Sequence, residues 1–158
     1  MGRKRTSRIV TIGGIAAITA LVGFMIALQV EASRNNDFRR AFEQIVIDVD
    51  ALTQQYQVAE GKWLTKEYDN GTMIAAIDQY APRYQALIDR AEALDAPERY
   101  RTAQGYLVSA IKSEKQSNEH FRIYLATGDE TEYEKSSNML SKSLRDSVNA
   151  DAAIKEAG

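Results

Sequence analysis

The chain has 158 residues, with 20 Lys/Arg against 22 Asp/Glu, one histidine and no cysteine. Without thiols and with one imidazole, it lacks the material for disulfides, thiolate catalysis, thioether-linked haem or a cysteine zinc site. Two prolines, nine glycines and 44% apolar residues place it among folded chains, long enough for one domain plus an appendage.

The first element is an uncharged run from Ile9 to Val30, 22 residues that as a helix would be about 33 Å long. A bilayer's hydrocarbon core is about 30 Å thick. A buried core helix would need a polar side, and only Thr11, Thr19 and Gln29 interrupt the run. A cleaved signal peptide fits the basic Arg3, Lys4, Arg5 and Arg8 and the motif Val30-Glu31-Ala32, but its apolar region is typically about 7–15 residues. An uncleaved anchor fits the length best. On that reading residues 1–8 are a cytoplasmic basic tail, 9–30 a transmembrane helix and 31–158 an extracytoplasmic domain.

Four Lys/Arg precede the run, against Arg34, Arg39 and Arg40 just beyond it, which orients the N-terminus to the cytoplasm and sets the tail beside anionic lipid head groups. All 22 acids follow the run, with 16 of the 20 bases, leaving residues 31–158 with a net charge of −6. That acidity excludes nucleic acid as the expected partner. Within the run, Ala16, Ala20, Gly23 and Ala27, with Thr19 beside them, align as a small-residue stripe that would admit a close partner helix. Such residues are also ordinary in membrane helices.

Residues 31–158 read as four amphipathic helices. Phe38, Phe42, Ile45, Val49, Leu52 and Tyr56 form the first stripe. The connection "AEGKWLTKEYDNG" follows, with Asp69-Asn70-Gly71 as its turn. Met73, Ile77, Tyr80, Tyr84, Leu87, Ala91 and Leu94 form the second stripe, with a kink or break expected at Pro82. Pro97 should open a third helix capped by Asp95 and Glu98, running to Thr127 with Gly128 as C-cap. Tyr100, Ala103, Leu107, Ala110, Phe121 and Tyr124 are its inward face. Thr131 and Glu134 repeat the capping spacing for a fourth helix, whose weaker stripe is Tyr133, Leu140, Leu144, Val148 and Ile154. The fold class expected is all-α: an N-terminal transmembrane helix followed by an antiparallel four-helix bundle. Trp63 and Gly128 should lie at the tip far from the membrane, Asp95 and the C-terminus at the near end.

The inward register of the third helix passes through Glu114, Ser117 and Asn118. One reading is a polar ligand or metal pocket with His120 nearby; the other, preferred, is a structural ion pair between Glu114 and Arg145 on the fourth helix. A carboxylate-bridged metal bundle would need Glu-x-x-His pairs, and Ser117 stands three residues before His120. Trp63 is a candidate partner contact or a cap on the open end of the core. Asn70-Gly71-Thr72 is a glycosylation sequon as well as a turn.

The sequence offers no nucleophile–base pair, metal constellation or glycine-rich phosphate loop, so no catalysis and no cofactor is expected. Two classes remain. One is an accessory or scaffolding subunit whose partners are integral membrane proteins. The other is an extracytoplasmic ligand sensor acting through a membrane partner; chemoreceptor-type sensor domains resemble the bundle, but normally have a second span and a cytoplasmic output domain.

The stretch "ALDAPERYRTAQGYLVSAI…FRIYLATGDETEYEKSSNML", with its Pro-initiated helix and its turn at Tyr124, Leu125, Thr127, Gly128 and Asp129, resembles small exterior helical domains of archaeal and bacterial membrane proteins. Some of these are accessory subunits of archaeal membrane enzymes, including the copper-dependent ammonia monooxygenase. The resemblance covers roughly residues 90–145 and implies an accessory role, with any catalytic copper held by other subunits.

Overall fold

A computed structural model describes the backbone of residues 4–157 and the side chains of residues 32–157. Among these the chain forms α1 (Lys4–Leu64), α2 (Asn70–Glu92), α3 (Arg101–Thr127) and α4 (Glu130–Ala157), with a single 3-10 turn at Glu98–Tyr100 ahead of α3. The all-α reading holds. The chain divides into two compact units, Met1–Asp37 and Phe38–Gly158. In the first, the expected span at 9–30 and its stripe of Ala16, Ala20, Gly23 and Ala27 concern side chains outside the described residues. Among the described residues, no helix is long and apolar enough to cross a membrane.

In the second unit, cross-helix bonds fix the directions. Arg90 pairs with Asp48 at 2.7 Å and Arg83 donates to Gln55 at 2.8 Å, so α1 and α2 are antiparallel. Lys112–Glu92 and Arg122–Asp78 do the same for α2 and α3. Ser109–Asp146 and His120–Glu132 do so for α3 and α4. Phe38 stacks on Tyr100 at 5.0 Å while Trp63 meets Phe121 edge-on at 5.2 Å, so α1 runs parallel to α3.

The stripes of α1 and α2 turn to the core as read, except that Tyr80 is half-buried and Leu94, also half-buried, lies beyond the end of α2. Phe38, Phe42, Ile45 and Leu52 join Tyr84, Leu87, Ile88 and Tyr100 in one apolar cluster. Tyr56, Met73, Ile77, Phe121 and Leu125 form a second toward the other end. Val49 is half-buried beside the first cluster. Removing such surface from water is the main force holding these helices together.

Several ends differ from the sequence reading. The helical pattern of α1 continues through Trp63 to Leu64, so the connection shrinks to residues 65–69 and Trp63 sits on the last turn of a helix. Lys66 takes a left-handed φ of 63° there to reverse the chain. Asp69, rather than forming a free turn, is the N-cap of α2, its Oδ1 accepting from the Thr72 amide at 2.7 Å. The α2 helix continues past Pro82 without a break. The expected box of Asp95 and Glu98 gives way to a 3-10 turn behind Pro97, which has no side-chain cap; there Gln104 Nε2 instead donates back to the Ala91 and Leu94 carbonyls at 2.9 and 2.8 Å. Gly128 is the left-handed C-cap expected, with φ 74° and its amide donating to the Tyr124 carbonyl. Asp129, not Thr131, caps α4: its Oδ1 accepts from the Thr131 amide at 2.9 Å.

The largest departure is in α4. Its buried residues are Ser136, Ser143 and Ala150, one every seventh position. The expected inward residues Leu140, Leu144 and Val148 are 46%, 62% and 68% exposed, and Tyr133 is 46% exposed. Of that stripe, Ile154 packs on the first cluster and the Tyr133 ring meets Phe121 and Tyr124 at the second cluster's edge. The reason lies in the facing helix, where Ala110, Ser113 and Ser117 are also small and buried. Small side chains on both sides let the axes approach, and Ser117 Oγ then donates to the Ser136 carbonyl at 2.9 Å. Bulky residues in that seam would hold the helices apart and leave these polar atoms without partners.

Candidate functional site

Between the two apolar clusters lies a polar layer centred on Glu114, which is only 8% exposed. The α2 helix brings Tyr84 to it from its core stripe, and α1 brings Thr53 from one step beside its own stripe. Thr53 Oγ1 donates to Glu114 Oε1 at 2.6 Å, and the Tyr84 hydroxyl donates to the same oxygen at 2.8 Å. Oε2 accepts from neither. Arg145, expected to pair with Glu114, is exposed to solvent instead and its charge bears on the neighbouring Asp146. Glu114 is therefore a buried carboxyl held by two hydroxyls, with no cation paired to it among the described residues.

Burial pushes the Glu114 carboxyl above its ordinary range, the two hydroxyl donors oppose this, and the charge of Asp50 pushes it up further. Burial likewise raises the Tyr84 phenol, and the charge of Glu114 adds to that. Asn118 lies next in the layer, facing Tyr84, with its Nδ2 buried and without an acceptor.

Glu114 forms part of the wall of a cavity of about 500 Å³ between α1, α3 and α4 of the second unit. Val46, Val49, Leu107, Ile111, Ala150 and Ile154 supply its apolar surface. Arg39, Glu43, Asp50, Asp151 and Lys155 also line it but are solvent-exposed, so they form its rim. Of the ionisable groups around this cavity, Glu114 alone is buried.

The other predicted site residues lie apart from this centre. Trp63 is half-buried, its indole N–H donating to Asn70 Oδ1 at 2.9 Å and its ring against Phe121, so it covers the end of the second cluster. Asn70 donates its Nδ2 to the Leu125 carbonyl at 3.0 Å. The nitrogen that a glycan would modify thus ties the α2 start to the α3 end. His120 Nδ1 meets Glu132 at 2.6 Å, and the Lys135 ammonium with that imidazole holds the Glu132 carboxyl below its usual range. Among the described residues no group of three or more His, Cys, Asp or Glu is placed to hold a metal ion.

The sequence pattern alone gives Thr53 and Asp50 no prominence. Their signal is positional: Asp50 follows Val49 and Thr53 follows Leu52, each one step off the α1 stripe. What the sequence lacks is the height at which α1 meets α3, since no turn joins them. No family model, curated protein or solved structure matches the chain.

Proposed function

We propose that this chain is a non-catalytic accessory or scaffolding subunit of an integral membrane complex. Residues 9–30 contribute a span, the basic tail rests on anionic lipid head groups in the cytoplasmic leaflet, and residues 31–158 form an extracytoplasmic helical bundle. The observation that supports it best is the outer face of α4, where Leu140, Leu144 and Val148 are exposed on a helix that packs inward through serine and alanine. Exposed apolar residues aligned on one helix are the pattern with which an amphipathic partner helix packs. The partner expected is a helix of another membrane subunit, and the resemblance around Tyr124–Asp129 points to subunits of a membrane enzyme.

The test is native electrophoresis of gently solubilised source membranes, with a photo-crosslinking residue at position 144. A large complex with fixed companions crosslinked at 144 is the expected result. Migration alone or as a small homo-oligomer in the mildest detergent would overturn the reading.

A second reading, an extracytoplasmic ligand-binding module acting through a membrane partner, is supported by the cavity beside Glu114. The two are compatible, since the cavity and the exposed face occupy different positions on the bundle.

A further inference from the structure

The cavity wall combines a large apolar surface with one buried carboxyl whose two hydrogen bonds both fall on Oε1. Oε2 accepts no hydrogen bond from the described side chains, and Glu114 is among the residues that line the cavity. A cavity of about 500 Å³ falls within the size range of small-molecule pockets. Around it stand the carboxylates of Glu43, Asp50, Glu114 and Asp151 against the cations of Arg39 and Lys155. The local field therefore favours a positive guest over a negative one.

We propose that this cavity binds an amphipathic primary amine, its ammonium group on Glu114 Oε2 and its apolar body against Val46, Leu107, Ile111, Ala150 and Ile154. The proposal rests on the ligand-binding reading above and names its ligand class. An ammonium supplies three donors and a full countercharge to a carboxylate that burial otherwise disfavours. It also relieves the repulsion between Glu114 and Asp50, which a neutral alcohol cannot do. A carboxylate guest would add to that repulsion. The Thr53 and Tyr84 bonds to Oε1 need not break for the guest to enter, so the site is held ready by the fold.

The experiment uses the full chain in phosphatidylcholine nanodiscs, titrated calorimetrically with 2-phenylethylamine, 2-phenylethanol and 3-phenylpropionate. The expected result is a preference for the amine over the alcohol of at least about tenfold, or about 1.4 kcal/mol, with the carboxylate weakest. Glu114→Gln, close to isosteric, should abolish the preference by bringing the affinity for the amine down to that for the alcohol. Persistence of the preference in that variant would overturn the role of Glu114. Should the variant fail to fold, the ranking in the unaltered chain still decides. Equal affinity for amine and alcohol would overturn the amine assignment and leave a binding module standing. Absence of binding by all three at millimolar concentration would overturn both.

Discussion

The helices α2 and α4 carry similar-looking apolar patterns and put them to opposite uses. In α2, Met73, Ile77, Tyr84, Leu87 and Ala91 are buried. In α4, Leu140, Leu144 and Val148 face outward and the seam is made by Ser136, Ser143 and Ala150. The difference is set by the neighbours. The α2 helix meets the bulky side chains of α1, such as Tyr56 and Leu52, and large residues interlock. The α4 helix meets a small, polar strip of α3, where only small residues allow close approach. Hydrophobic periodicity identifies a helix, but which face turns inward depends on the shape of the surface it meets.

Substitutions can break this comparison. The largest effect should come from Ile77→Ala, which empties a fully buried position and should cost about 2–5 kcal/mol in urea unfolding. Leu144→Ala, similar in chemistry, should stay within about 0.5 kcal/mol, because its side chain is already in water. Equal costs would mean that α4 packs the other way round. Next comes Ser143→Leu, which forces bulk into the α3–α4 seam and should destabilise by about 1–3 kcal/mol although it adds apolar surface. A stabilised variant would show that the seam has room to spare.

Acid sharpens the contrast between two glutamates. The folded state raises Glu114, so the stability it contributes is fully present below its ordinary value of 4.5 and is lost as pH rises through its raised folded value. Glu114→Gln should remove that decline in unfolding measured from acid to neutral pH. Glu132 is lowered, so its contribution has the opposite sign: present above 4.5 and lost as pH falls through its folded value. A modest gain is expected from Lys66→Gly, which frees a left-handed residue of its Cβ and should raise stability by about 0.5–1 kcal/mol in the same unfolding assay.

Much of this was legible in the sequence: four helices, the α1 and α2 stripes, the Gly128 cap, and Glu114 as an anomaly on an inward register. The partners of Glu114 were not. Height across a short turn can be counted residue by residue, and that count points to Arg145 on the adjoining helix. The actual donor Thr53 comes from α1, the parallel neighbour of α3, whose height is set by packing at Phe38–Tyr100 and Trp63–Phe121 rather than by a loop. The caps at Asp69 and Asp129 show a milder form of the same limit, where several nearby acceptors competed and backbone geometry chose between them.

The convergence of Thr53 and Tyr84 on one oxygen makes the Glu114 carboxyl lopsided. One oxygen anchors three helices to each other, while its twin is left to the chemistry of whatever occupies the space beside it. A proton placed on Oε2 would leave both hydroxyls their acceptor, so the ties among α1, α2 and α3 do not depend on the charge of the carboxyl.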